Sequence, residues 1–287
     1  MAQMHCENKG WAFRWTPEED KILKENYSNK TIDEMLELLP NRNKQGIFSR
    51  ASKLGVRRLY YNKNYFEVID SHEKAYWLGF LYADGYVTSG NRWGLELSKN
   101  DEEHFKKFLK AIEFNGKIKY RTRTNVINGI ETTNTCCSIC INNSKMYDDL
   151  VRGGVVRNKT NHLVFPKEEV LKKEFQPDFI RGFFDGDGTI TYNIDKERKS
   201  KEVNFICKDE GFIDSINSIL IENDIHFNKG KHSKGVLSTL RTSKELEIKK
   251  FYSYIYKDVT EDIMLERKHN KFIELFEKWI GGVVPSC

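Results

Sequence analysis

No stretch of this sequence stays apolar for the ~18 residues that would mark a membrane span, so a membrane-embedded chain is not expected. Met1 to Trp15 has neither the apolar core nor the small-residue cleavage site of a secretory signal. Work in the cytoplasm is therefore expected, and richness in Lys, Asn and Ile suggests the AT-rich genome of a bacterium or phage, with the protein at the nucleoid. Cysteine gives no disulfide pattern: Cys6, Cys136, Cys137, Cys140, Cys207 and Cys287 are scattered. Zinc would require a second Cys or His pair near Cys136, Cys137 and Cys140, and none follows. Their surroundings read as a strand, which puts Cys137 and Cys140 on opposite faces and makes buried strand cysteines the expectation. Acid is missing from residues 41–58, where Arg42, Lys44, Arg50, Lys53, Arg57 and Arg58 stand without Asp or Glu. The net charge of +5 is modest, but basic clusters recur at Lys117 to Arg123, Lys196 to Lys201 and Lys229 to Lys234. Four such clusters favour a polyanionic partner.

What is present begins with three short helices. Thr16-Pro17-Glu18-Glu19 is a capping box with proline at the first helical position, followed by Ile22, Leu23 and Tyr27. Thr31-Ile32-Asp33-Glu34 is a second, before Met35, Leu36 and Leu39. A third helix is predicted from near Asn43 to Gly55, with Ile47, Ala51 and Leu54 inward. That pattern leaves Arg42, Gln45, Ser49 and Arg50 pointing outward with Lys44 and Lys53 beside them, side chains suited to base edges and phosphates. A protein-interaction module is the bland alternative. Trp15-Thr16-Pro17-Glu18-Glu19-Asp20 and Lys53-Leu54-Gly55-Val56 make the segment resemble a SANT/Myb-like helix-turn-helix domain, which implies DNA binding.

The rest of the chain repeats itself. Residues 75–88, running through Gly79, Phe80, Asp84, Gly85 and Thr88, match residues 178–191 with Gly182, Phe183, Asp187, Gly188 and Thr191 in register. Leu95 to Asp101 then matches Val203 to Asp209, each read as a strand leading into a capped helix. The expected organisation is a helical DNA-binding domain (1–58), a linker (59–72), a first α/β half (73–166), a linker (167–176) and a second half (177–287).

A glycine inside a helix costs ~1 kcal/mol against alanine, so Gly79 and Gly182 point to two helices in backbone contact. Their C-terminal ends would bring Asp84 and Asp187 together, where helix dipoles and mutual repulsion both oppose two carboxylates. A divalent cation resolves that conflict. Mg²⁺ suits one or two carboxylates plus waters and phosphate oxygens, and Mn²⁺ would substitute; such a centre can activate water for phosphodiester hydrolysis.

Trp77-Leu78-Gly79-Phe80-Leu81-Tyr82-Ala83-Asp84-Gly85 and Ile180-Arg181-Gly182-Phe183-Phe184-Asp185-Gly186-Asp187-Gly188 resemble the signature of the LAGLIDADG homing-endonuclease family. The metal-binding acid of that signature falls on Asp84 and Asp187. The first copy departs at its sixth position, where Tyr82 replaces the usual acid, and at Trp77-Leu78. The resemblance implies an α/β (α+β) fold of two pseudo-symmetric αββαββα halves forming a DNA-binding saddle. It also implies a monomer with a homing role, cutting both strands of a long non-palindromic DNA site and leaving short 3′ overhangs. The family places a basic residue in each half near the reacting phosphate. Lys159 and Lys268, similarly far downstream of the two acids, are the candidates.

Lys117, Lys119, Arg121 and Arg123 alternate at period two, so a strand would set all four on one face about 7 Å apart, as a phosphate track requires. Asn128-Gly129 supplies a hairpin turn, returning the chain through Ile139 and Ile141. In the second half Arg198, Lys199, Lys201, Lys229, Lys231, Lys234 and Arg241 are DNA-binding candidates of uncertain strand phase. Two rivals keep the scaffold without the cutting: an intron RNA maturase, and a sequence-specific DNA-binding regulator. An intein is not expected, because the chain starts Met1-Ala2 and ends Ser286-Cys287 without a His-Asn pair.

Overall fold

The computed structural model describes residues 14–27, 30, 32–56, 61–127, 130–157, 162–193, 200–232 and 236–279. The chain divides into two compact units, Met1–Tyr61 with Glu113–Lys117, and Asn62–Ile112 with Ile118–Cys287.

In the first unit, helices α1 (Pro17–Asn26), α2 (Ile32–Leu38) and α3 (Lys44–Lys53) share a core of Leu23, Tyr27, Met35, Leu39, Ile47 and Ala51. Thr16 and Glu19 close the expected capping box on each other's backbone N–H. Asn43 caps α3 through the Gly46 N–H, 2.7 Å. The capping box expected at Thr31 lies outside the described residues, as do Arg57 and Arg58.

The second unit holds two halves of one plan. Helix α4 (His72–Ala83) leads into β1 (Gly85–Thr88) and β2 (Arg92–Ser98), α5 (Glu102–Ala111), β3 (Lys119–Ile127), β4 (Ile130–Asn142) and α6 (Ser144–Arg152). Helix α7 (Gln176–Asp187) leads into β5 (Thr189–Asn193) and β6 (Ser200–Cys207), α8 (Glu210–Glu222), β7 (Asn228–His232), β8 (Leu237–Thr242) and α9 (Glu245–Ile255). A further helix, α10 (Glu266–Trp279), closes the second half. Both sheets are antiparallel, with orders β1-β2-β4-β3 and β5-β6-β8-β7. Ile127 pairs with Ile130, so the β3–β4 hairpin has the expected two-residue connection, although Asn128 and Gly129 themselves are outside the described residues.

The buried apolar side chains of each sheet lie on one face. Val87, Trp93, Leu95, Leu97, Cys137, Ile139 and Ile141 are buried in the first, and Ile190, Val203, Phe205, Cys207 and Leu240 in the second. Within the linker expected before α4, Tyr65, Phe66 and Ile69 are buried. The two strand-to-helix turns are not capped as expected. Asp101 pairs with Arg267 (2.7 and 3.0 Å), and Asp209 accepts from the Leu163 N–H (2.7 Å), so each aspartate ties its half to the other.

Candidate active site

Helices α4 and α7 meet at backbone distance. A β-carbon on Gly79 would stand 2.0 Å from the Phe179 carbonyl oxygen, and one on Gly182 would stand 2.0 Å from that of Tyr76. No side chain larger than hydrogen fits at either position without moving a backbone. The contact extends to the helix ends, where a β-carbon on Gly186 would lie 2.2 Å from the Ala83 Cβ and 3.0 Å from Asp84 Oδ2. Asp84 is the C-cap of α4 and half-buried; Asp187 is the last residue of α7 and exposed. The Asp84 carboxylate thus lies against the residue that precedes Asp187.

Lys268 is buried beside this pair. Its ammonium donates to the carbonyls of Phe184 (2.9 Å) and Gly188, completing the C-terminal turn of α7, and lies 5.1 Å from the Phe184 ring centre. Burial pulls its amine down to about 8, while the charges of Asp185, Asp187 and Asp84 push it back up. The sequence placed this lysine at the site, but not in the core. Lys159, its expected counterpart, lies outside the described residues.

The sixth signature position anchors each helix. Asp185 is fully buried and accepts from the Tyr76 hydroxyl (2.7 Å) and the Leu265 N–H (2.8 Å); burial raises its carboxyl above the usual range. Tyr82, at the equivalent place in α4, donates to the carbonyls of Gly153 (2.7 Å) and Val164 (3.1 Å). The departure from the signature therefore replaces an acceptor with a donor, and an anchor is kept to the chain that follows α6 in the first half and α9 in the second.

Arg181 was not anticipated. It is buried, donates to Ile255 O (2.5 Å) and Ile263 O (2.9 Å), and pairs with Asp178 (2.7 Å), which also binds His72 Nδ1 (2.7 Å). An arginine and an aspartate three apart on a helix are a signal for such a pair. Here the pair is turned inward.

The expected DNA-contacting residues divide. Lys119, Arg121 and Arg123 are exposed on the open face of the first sheet, with Arg121 paired to Glu96 at 2.9 Å. Lys117 precedes β3 and groups with the first unit, so the track has three members rather than four. Arg241 is on the open face of the second sheet, paired to Glu202 at 3.4 Å. Lys201, Lys229 and Lys231 are in the opposite strand phase and pair with Glu245, Glu210 and Asp214 on the covering helices. That phase, left uncertain by the sequence, turns these three toward the covering helices. Arg198, Lys199 and Lys234 lie outside the described residues.

In the first unit, Gln45, Ser49, Lys53 and Lys44 are exposed on α3, Lys44 pairing with Asp33. Arg42 and Arg50 do not point outward freely. Arg42 clamps Glu19 and lies over the Trp15 ring (4.4 Å), its side chain 10% exposed; Arg50 clamps Asp20. Their guanidiniums hold both carboxyls below the usual range. On β4, Cys137 is buried as expected, but Cys140 is exposed on the open face.

Two family descriptions match the second unit: a LAGLIDADG-like domain over residues 174–256, and the WhiA LAGLIDADG-like domain over residues 73–129. Each half of the second unit is thus similar to a LAGLIDADG-like domain over the residues matched. Among solved structures, the homing endonuclease I-WcaI bound to its DNA recognition sequence is similar at TM-score 0.51 and 12% identity, over 70% of this chain and 89% of that one. The I-LtrWI LAGLIDADG homing endonuclease bound to target DNA gives 0.46 and 12%, over 77% and 92%. Full-length DUF199/WhiA from Thermatoga maritima gives 0.41 and 15%, over 74% and 64%. No curated protein sequence matches the chain. At these identities the likeness to I-WcaI establishes the LAGLIDADG fold, not the activity.

The donor set fits a hard cation. Among the described residues no group of three or more His, Cys, Asp or Glu side chains could hold a metal, so a cation here would rest on Asp84 and Asp187. Two carboxylate donors with waters and phosphate oxygens are what Mg²⁺ accepts. The negative ends of two helix dipoles add to the attraction.

Proposed function

We propose that the chain is a site-specific double-strand DNA endonuclease, a monomer that hydrolyses phosphodiester bonds at a long non-palindromic site with Mg²⁺, or Mn²⁺ in its place. The observation that carries this reading is the meeting of α4 and α7 through Gly79 and Gly182, which delivers the Asp84 carboxylate to the neighbourhood of Asp187. Two carboxylates gathered at two helix C-termini favour a bound cation, to which the Lys268 charge beside them is an incomplete counterpart. When bound, the cation supplies a polarised water and a stabilised leaving oxygen. Asp84 and Asp187 hold it, one from each half. Lys268 keeps the end of α7 in place and sets a positive charge beside the carboxylates. In this reading Lys159 serves the first half as Lys268 serves the second.

Lys119, Arg121, Arg123 and Arg241 contact the duplex from the open sheet faces, and Gln45, Ser49, Lys53 and Lys44 from α3 add contacts outside the cleavage site. Cleavage leaves short 3′ overhangs, as in the family that the motifs resemble.

Selection from a randomised duplex library with Mg²⁺, followed by sequencing of the cut ends, tests the proposal. One long asymmetric site is the expected product. Asp84→Asn or Asp187→Asn should abolish double-strand cleavage and leave binding within about threefold, since neither acid contributes attraction to phosphate. Undiminished cutting by either variant would remove the assigned roles. Binding without cutting by the unaltered chain would support a regulator, and selective capture of structured intron RNA a maturase.

A further inference from the structure

The edge strands of the two sheets hold the same place in the same strand order, β3 beside β4 and β7 beside β8. Both carry basic residues at period two, and register sends them to opposite faces. Lys119, Arg121 and Arg123 pair with Ser138, Cys136 and Asn134; Ser138 in turn pairs with Glu96. That phase is opposite to the buried Leu95, Leu97 and Ile139, so the three cations stand on the open face at steps of about 7 Å.

On β7 the phase is reversed. Lys229 pairs with Leu240 and Lys231 with Ser238, both buried. Their ammoniums turn to α8: Lys229 meets Glu210 at 2.8 Å and Asp214 at 2.5 Å, and Lys231 meets Glu210 at 2.6 Å. The two lysines hold the Glu210 carboxyl down at about 2. The open phase of β7 presents Asn228, Gly230 and His232 instead. Cations committed to local carboxylates, as Lys229 and Lys231 are to α8 and Arg121 is to Glu96 on its own sheet face, release fewer counterions from a duplex than exposed cations such as Lys119 and Arg123 do.

We propose that the grip on DNA is divided unequally: β3 holds one half-site by its phosphates, and β7, its counterpart, reads the other with uncharged side chains and His232 in place of a cation track. This inference rests on the nuclease reading above. It follows that after cleavage the fragment under the first sheet stays bound longer than the fragment under the second.

Affinity for the selected site, and for each of its two product duplexes, should be measured with the full chain against salt concentration. Each phosphate contact contributes about 0.9 to the slope of log K against log salt. The triple variant Lys119→Ser, Arg121→Ser, Arg123→Ser should flatten the slope by about 2, from Lys119 and Arg123, and weaken binding about tenfold at physiological salt. It should lose affinity for one product duplex only, the one the unaltered chain holds more tightly. The double variant Lys229→Ser, Lys231→Ser should leave the slope unchanged. Should that variant melt early, Lys229→Gln and Lys231→Gln, each sparing one contact to Glu210, report the same quantity. Equal flattening by the β7 variants, or equal loss of both products by the β3 variant, overturns the unequal grip. A chain that binds but never cuts removes the nuclease reading while the slopes still decide the grip; a chain that binds no duplex removes both.

Discussion

A methyl group at Gly79 would stand 2.0 Å from the Phe179 oxygen, less than two-thirds of an ordinary contact, and the obstacle is a helix backbone rather than a flexible side chain. Gly79→Ala and Gly182→Ala should each therefore destabilise the protein by about 3 kcal/mol or more, the upper range for overpacking, as read by urea unfolding. Gly211 near the start of α8 provides the contrast, because a β-carbon there meets nothing within 4 Å. Gly211→Ala should gain up to about 1 kcal/mol from helix propensity alone. Equal effects at the three positions would show that α4 and α7 do not touch through their glycines. Lys268 illustrates the same dependence on context. Its side chain carries a charge into the core because two helix-end carbonyls accept its protons there, and Lys268→Met would take the ammonium from Gly188 O at a cost of about 1–3 kcal/mol, while Phe184 O keeps the Gly188 N–H at 2.8 Å.

At the scale of elements, strand phase decides which side chains can meet a partner. Cys137 and Cys140 lie three apart on β4 and so face opposite ways. Cys137 is buried and its thiol is pushed up to about 11 by that burial; Cys140 is exposed on the open face. A thiol reagent followed by peptide mapping should label Cys140 rapidly and Cys137 only on unfolding, because the thiolate is the reacting form. Duplex carrying the selected site should slow labelling of Cys140. Unchanged labelling in the presence of bound duplex would show that DNA lies elsewhere than on this sheet face.

At the scale of the whole second unit, the halves are joined by a buried polar chain. The Tyr76 hydroxyl of α4 donates to Asp185 of α7 and pairs with His104 Nε2 of α5 at 3.0 Å, while Asp185 holds the Leu265 N–H ahead of α10. Burial, reinforced by the charges of Lys107 and Arg267, lowers the His104 imidazole to about 3. The unfolded chain binds the proton at ~6.5, so the contribution of neutral His104 is complete above that pH and is lost as pH falls toward 3. Stability should drop by up to about 1.4 kcal/mol per pH unit across that window from this group. Asp185, raised by its own burial, contributes with the opposite sign. Urea unfolding of the protein and of His104→Gln at pH 7, 6 and 5 isolates the histidine by difference, and parallel pH profiles would show that it is not buried neutral.

The repeat, its two glycines, its two acids and the capping box at Thr16 were legible in the chain because each is a local pattern with a physical demand attached. A mid-helix glycine asks for a close neighbour, and a doubled motif asks for a doubled fold. Local pattern carries no information about partners that lie far away in sequence. Nothing near Arg42 or Arg50 reveals Glu19 and Asp20. Nor does β7 alone say which face α8 will cover, so the phase of the lysines at 229 and 231, uncertain in the sequence, is set only by their pairing with Glu210 and Asp214. Local sequence determines which elements form and which chemistry they carry. Only tertiary packing decides which face of each is turned to solvent, because a one-residue shift in strand phase reverses every side chain while leaving composition and periodicity the same.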